Sequence, residues 1–364
     1  MNCLSASFVI HVYATLRRRT VTPHGATPGN STVMAKQLSL FEGARSRPPA
    51  IVAAEPSVEA RDVARQLPPG VRLGTSSWHF PGWRNIVWAN TVAPGDLSRE
   101  GLGAYSQHPL FSAVGVDRSF YAPLSSRQYA AYAEQVPDNF RFVVKAPSLL
   151  TSQWLPGDSG FRGAANPQFL DAGYALEQFV EPVLEGLGTK AGPLLFQFPP
   201  LGRMLTRAPE RFIAQLQEFL HRLPQGPLYA IEVRDDRVIT RRFFASLKEA
   251  GVRYCVGVHP RMPPVAAQAA AMSGFGSGPL LIRWNLKAGY TYEEARTRFT
   301  PFDQLVDEDS ATRDSIAQLC MATISAGHEC TIIANNKAEG SAPLTLVKLA
   351  QAIITAARHR AQAD

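Results

Sequence analysis

Four ionisable residues stand at or near the ends of short apolar runs: Lys145 in RFVVKAP, Glu232 and Arg234 in YAIEVR, and Arg283 in LLIRWN. Runs of this kind read as strands. Side chains alternate between the two faces of a strand, so Glu232 and Arg234 share a face with Ala230. Buried charges are costly unless paired, and the four are therefore expected to compensate one another as a network. Such a network serves structure or chemistry. As structure it is a set of ion pairs, Glu232 with Arg234 or Lys145, and Lys145 or Arg283 with Glu232 or Asp117. As chemistry it makes Glu232 a general acid or base, which suits a hydrolase, a lyase or an isomerase. Lys145 would then bind an anion, or form a Schiff base if desolvation lowers its pKa. Arg283 and Arg234 would offer guanidinium forks to carboxylate or phosphate.

Other strand ends add polar groups. Gln197 closes LLFQFP, Asp117 and Tyr121 follow the run from Ser112, and Asn335 and Asn336 close TIIANN. The two amides suit a hydroxylated or phosphorylated ligand, or equally the turn that ends a strand. Trp78 and Tyr121, with Phe80 and Trp83, read as aromatic walls or as core. The expected site is thus Glu232 and Lys145 as catalytic groups, with Arg234, Arg283, Asn335, Asn336, Gln197, Asp117, Tyr121 and Trp78 on the ligand. His79 and His259 have no second His or carboxylate at ligand spacing, so no metal site and no cofactor is indicated. No GxSxG elbow is present, no GxGxxG follows the first strand, and GTSSW is not a phosphate loop.

Eight runs of this type recur from Val71 onward: VRLGTSS, SAVGVDRSF, RFVVKAP, LLFQFP, YAIEVR, RYCVGVH, LLIRWN and TIIANN. Each is followed by a stretch with helical spacing, and that alternation implies a parallel sheet. Helix signals include Ser125 and Thr240 as starts, Pro209 and Thr312 opening longer runs, Gly251 and Gly327 as C-terminal caps, and a last helix from Leu344 to Arg360. Eight strands close a barrel. The expected fold class is α/β, a (β/α)8 TIM-like barrel over residues 71–364, and the rival is an open doubly wound sheet. A barrel gathers its active site at the carboxyl ends of the strands, where the polar residues above lie.

Apolar residues make up 45% and charged residues 18% of the 364-residue chain, the balance of a globular protein with one large core. The formal charge is +7, but residues 1–70 hold eight Lys or Arg against four acids, leaving 29 against 26 for the rest. The basic pI of 9.4 therefore gives only weak support to a nucleic-acid-binding face. Cys3, Cys255, Cys320 and Cys330 form no CxxC pair, and reduced thiols in the cytoplasm are expected. No apolar run reaches the roughly 18 residues of a membrane span. The arginines Arg17 to Arg19 follow the first apolar run instead of preceding it, which argues against a signal peptide.

The ordered set GTSSWHFPGW, RSFYAPLS, FRFVVKAP, LLFQFPP, AIEVR, IRW and ANNKAEGSAP resembles the YecE-like family, domain of unknown function 72, over about residues 71–350. The resemblance implies a barrel and brings no activity with it. It retains Lys145, Gln197, Glu232, Arg234, Arg283, Asn335 and Asn336. The chain departs from the family pattern with Gly115 and Asp117 in place of Glu and Asn, Asp235 in place of His, and Asn285-Leu286 in place of His-Gly. Those departures imply a divergent subfamily with an altered ligand.

Residues 1–70 show scattered Pro, Ser, Thr and Arg without sustained periodicity and read as a weakly ordered tail, with a short helix at Val58 to Gln66. Within it Gln37, Leu38, Ser39, Leu40 and Phe41 spell QLSLF, which looks like the peptide by which bacterial proteins dock on the DNA polymerase sliding clamp. Leu40 and Phe41 would fill an apolar pocket while Gln37 makes backbone hydrogen bonds. Met34 is a second plausible translation start just ahead of it. Two functional classes stand: a barrel that binds or transforms a small anionic ligand, phosphorylated or sugar-like, and a clamp-associated factor in DNA replication or repair.

Overall fold

The computed structural model describes residues 50–157, 162–202 and 208–363. In chain order the strands are β1 (Val71–Thr75), β2 (Phe111–Val116), β3 (Arg141–Lys145), β4 (Trp154–Pro156), β5 (Arg162–Ala165), β6 (Ala191–Gln197), β7 (Tyr229–Glu232), β8 (Arg253–Val258), β9 (Leu280–Trp284) and β10 (Cys330–Ala334). Eight of them pair in parallel, close in the order β1-β2-β3-β6-β7-β8-β9-β10, and return to β1. The remaining two, β4 and β5, form an antiparallel hairpin that the strand pattern did not anticipate, a unit of its own.

The alternation of strand side chains sorts the core into two parts. Ala113, Val143, Leu195, Ala230, Cys255, Leu281 and Ile333 point inward and fill the ring. Their outward neighbours Val114, Val144, Phe196, Ile231, Val256, Ile282 and Ile332 belong to the larger core shared with the helices. Both faces of each strand are therefore dry, which is why these strands read as unbroken apolar runs. Helices fill the connections. Ser125 and Gln128 form a capping box ahead of Ser126–Ala133, Thr240 caps Arg241–Glu249, and Gly251 and Gly327 take positive φ at +69° and +80°.

Three stretches differ from the sequence expectation. The residues after Val116 do not continue β2 but turn into a short helix, Arg118–Tyr121. The Ser119 hydroxyl causes the turn: it reaches back to the Val116 carbonyl at 3.0 Å and across to the Lys145 carbonyl at 2.6 Å. Arg234, Asn335 and Asn336 lie just past their strands. Residues 50–70, expected to belong to a weakly ordered tail, carry the expected helix Val58–Gln66 and differ only in that it packs, with Ala60 and Val63 buried. Glu59 accepts from Lys348 and Gln351 of the final helix, Ala342–Ala363, and Gln66 accepts from Arg358 of that helix.

Side chains also clasp the seam between the first and last strands. At the amino ends Arg72 makes a two-pronged pair with Glu329 at 3.0 and 2.9 Å, and at the carboxyl ends Asn335 Nδ2 donates to Ser76 Oγ at 2.8 Å. Beyond the seam a second buried carboxylate, Glu339, accepts from Arg313 Nε at 2.9 Å and from the Asp309 amide at 2.6 Å. The next residue, Gly340, has φ +125° and lies so close to Gln304 that an added Cβ would sit 2.5 Å from its carbonyl oxygen. Gly340→Ala is expected to cost about 2 kcal/mol or more, because strain and overlap fall on the same residue. Urea unfolding that gives the same midpoint for both proteins would contradict this.

Candidate functional site

One step of two residues beyond the apolar ring the interior turns polar. Ala113, Val143, Leu195, Ala230, Cys255, Leu281 and Ile333 are followed at that spacing by Gly115, Lys145, Gln197, Glu232, Gly257, Arg283 and Asn335. A further step brings Asp117, Arg234, His259, Asn285 and Lys337 to the mouth. The pleat and the turns that leave the strands together gather residues more than 200 positions apart.

Glu232 is the hub. Its carboxylate is wholly buried: Oε2 meets Arg283 Nη1 at 2.6 Å, and Oε1 meets Arg234 Nη2 at 2.6 Å and Asn285 Nδ2 at 3.1 Å. Arg283 also reaches Asp117 at 3.3 Å. Glu232 on β7 and Arg283 on β9 must touch across β8, and β8 allows it because its inward residue there is Gly257, paired in register with Arg283. A Cβ on Gly257 would already lie 3.4 Å from Glu232 Oε1, so a larger side chain would wedge the pair apart.

Burial alone would raise the Glu232 pKa, but the Arg234 and Arg283 guanidiniums outweigh it and hold the carboxyl at about 2. With both oxygens engaged and no proton to exchange near neutrality, Glu232 is a fixed negative charge and not the acid or base the sequence suggested. The ion-pair reading of the same residues describes it better. Lys145 behaves differently. Its ammonium has no carboxylate at salt-bridge distance among the described residues and sits over the Phe120 ring, 3.6 Å from the centroid. Burial pushes its pKa down to about 8, against the pull of Asp117.

Lys337 repeats this arrangement on the opposite side of the chain's seam. It is 4% exposed, stands 4.1 Å over the Tyr292 ring and 5.7 Å from that of Phe302, and burial lowers it to about 8. The strand-by-strand reading missed it, because it lies past the end of β10, in the helical turn Asn336–Ala338. Four cations, Lys145, Arg234, Arg283 and Lys337, thus share the mouth with the carboxylates of Asp117 and Glu232. Arg234 Nη1 is buried without a hydrogen-bond partner. His259 also faces Arg234 and Glu232, and burial, with Arg234 adding to it, holds the imidazole down at about 4.

The other expected ligand residues divide. Gln197 is buried in register with Glu232, and Asp117 is half-buried at the mouth. Tyr121 stands out at 68% exposed. Asn335 ties the seam through Ser76 and caps the turn that follows by accepting from the Lys337 amide. Two residues expected on the ligand are structural. Trp78 is 3% exposed, donates to the Leu97 carbonyl at 2.9 Å and packs edge-on against Tyr132. Asn336 turns inward, where its Oδ1 accepts from Trp83 Nε1 at 3.1 Å and from the Ala342 amide at 2.9 Å, fixing the start of the last helix. The QLSLF segment lies outside the described residues. Among the described residues no cluster of three His, Cys, Asp or Glu could hold a metal, and no helix is long and apolar enough to cross a membrane.

A closed (β/α)8 ring with a charged polar layer at its strand ends places the chain among the TIM-like barrel proteins. The chain belongs to the family described as Protein of unknown function DUF72, which matches residues 72–363. A curated relative, the UPF0759 protein YunF of Bacillus subtilis, is 33% identical over 110 residues, 29% of this chain and 34% of that protein, so the match spans about a third of the relative's length. Among solved structures, a DUF72 family protein from Enterococcus faecalis aligns with a TM-score of 0.54 at 18% identity, over 78% of this chain and 95% of that one. One from Thermotoga maritima gives 0.51 at 17%, over 77% and 98%. At such identities the likeness is one of fold.

The Glu232 carboxyl has a native pKa of about 2, below its ordinary 4.5, so the unfolded chain takes up the proton first as pH falls. Its stabilisation is present in full above pH 4.5 and is lost between 4.5 and 2. Glu232→Gln removes the charge but nearly keeps the shape, leaving two guanidiniums without their counter-charge at a cost of about 3–5 kcal/mol. Thermal melts at neutral pH are expected to show that loss, and to show the difference from the parent protein shrinking as pH drops through this window. A variant melting within a degree of the parent would remove Glu232 from the centre of the site.

Proposed function

We propose that the mouth of the barrel binds a small anionic ligand, phosphorylated or sugar-like, at the carboxyl ends of the strands. One observation carries the reading: Lys145 and Lys337 are held by aromatic faces and not by carboxylates. A cation–π contact contributes about 0.5–2 kcal/mol and leaves the positive charge uncancelled, whereas an ion pair would neutralise it. Glu232 is already committed to Arg234 and Arg283, so the two lysines remain the groups with charge to offer. The unpartnered Arg234 Nη1 is consistent with an acceptor arriving from outside the chain. Any proton exchanged near neutrality would pass through Lys145 or Lys337, whose pKa values of about 8 suit it.

Isothermal titration with inorganic phosphate tests the proposal. Phosphate is expected to bind, and Lys145→Met or Lys337→Met, which keep the side-chain stem, to weaken it about tenfold or more, the value of one charge-assisted hydrogen bond. Binding should also fall as sodium chloride rises. Absence of binding to the parent protein, or unchanged affinity in both variants, would sink the reading.

A second reading rests on the match of Gln37 to Phe41 to the sliding-clamp peptide. We propose that this segment tethers the chain to the bacterial clamp in replication or repair. The full chain is expected to be retained on immobilised clamp, and a chain carrying Leu40→Ala and Phe41→Ala to pass through, since those two side chains supply the apolar anchor. Equal retention of both would remove the reading.

A further inference from the structure

Few large apolar side chains stand exposed among the described residues, and two of them, Tyr121 at 68% and Tyr292 at 57%, flank the mouth. Each is fixed by local structure. Tyr121 ends the short helix Arg118–Tyr121 and packs edge-on against Phe120 with centroids 5.4 Å apart. Tyr292 is the first residue of the helix Tyr292–Phe299, whose start is set by a capping box between Thr291 and Glu294. The Asp117 carboxylate lies within electrostatic reach of both phenols, and the phenols within reach of one another.

The two tyrosines are built alike. Phe120, the neighbour of Tyr121, carries the Lys145 ammonium on its face, and Tyr292 carries that of Lys337 on its own. Lys337 thus lies on an exposed ring, and Lys145 on a half-buried ring whose neighbour in sequence is the exposed one. An exposed ring at a helix end gains little stability beyond that of the cation it holds, as Tyr292 holds Lys337. It does offer a π-face to a flat group whose anionic end is drawn to the lysines.

Resting on the anion-binding reading above, we propose that the ligand has two parts, a phosphate held by Lys145 and Lys337 and a planar aromatic ring held by Tyr121 and Tyr292, the chemistry of a nucleoside monophosphate. Stacking on tyrosine tolerates any base, because every base has a π-face. The site would then discriminate between nucleotide and bare sugar phosphate, and weakly among bases.

The test compares inorganic phosphate, ribose 5-phosphate and adenosine and uridine monophosphates by isothermal titration. The nucleotides are expected to bind about tenfold or more tighter than ribose 5-phosphate, from base–aromatic stacking. Tyr121→Ala should lose much of that advantage while its affinity for inorganic phosphate stays within about twofold, Tyr292→Ala, which also removes the ring under Lys337, should weaken both, and Tyr121→Phe, Tyr292→Phe should keep both. Both tyrosines are exposed, and an unchanged melting temperature confirms that each alanine variant folds. Nucleotides binding no tighter than ribose 5-phosphate, or an advantage that survives both alanines, overturns the ring site and leaves the anion site standing. Failure of every phosphate to bind overturns the two together.

Discussion

The barrel mouth is organised around a single carboxylate that has surrendered its chemistry. Glu232 sits without solvent between Arg234 and Arg283, and those two guanidiniums are where they are because it is. An anion in this position lets the interior tolerate cations at all, since an isolated buried guanidinium would be far costlier than the pair. Asp117 and Asn285 then complete the hydrogen bonding around the same centre. Farther along the same layer the positive charge stands on lysines held by rings instead of carboxylates.

Geometry at the mouth follows from what is missing as much as from what is present. Gly257 contributes no side chain to the polar layer, and the gap is filled from either side by Glu232 and Arg283. Gly115 is a second glycine in the layer, set so close against Ser76 that an added Cβ would stand 3.0 Å from its carbonyl oxygen. The family pattern has a glutamate at that position and a histidine where Asn285 now supports Glu232. Taken together, the departures read in the sequence remove one glutamate and two histidines and add two aspartates, Asp117 and Asp235, so they change which groups carry charge at the mouth without making it more positive.

Much of this was legible in the residues. The eight strands showed as apolar runs because both of their faces are buried, and Lys145, Glu232 and Arg283 showed because a charge inside such a run has only the barrel mouth to reach. Lys337 gave no such signal, because it lies beyond β10 in the turn Asn336–Ala338, and a residue beyond a strand end looks like loop. Trp78 and Asn336 were placed on the ligand because an indole or an amide near a strand end can turn either way, and partners distant in sequence, Leu97 and Trp83, decide the direction. Gly257 carries no pattern to read. The sequence left Glu232 open between an acid–base role and an ion pair, because the partners that engage both of its oxygens, Arg234, Arg283 and Asn285, come together only in the fold.

The clasped seam has a bearing on how the chain comes to be folded. Arg72 and Ser76 belong to the first strand made, and their partners Glu329 and Asn335 are 257 and 259 residues downstream. During synthesis β1 must therefore wait with one edge unpaired while the six intervening barrel strands emerge, an invitation to pair with another chain. Once β10 arrives, the entropic toll of so long a closure has grown only logarithmically with its length. The two side-chain clasps, one at each end of the seam, then lock the register of a junction that backbone pairing alone could close one residue out of step.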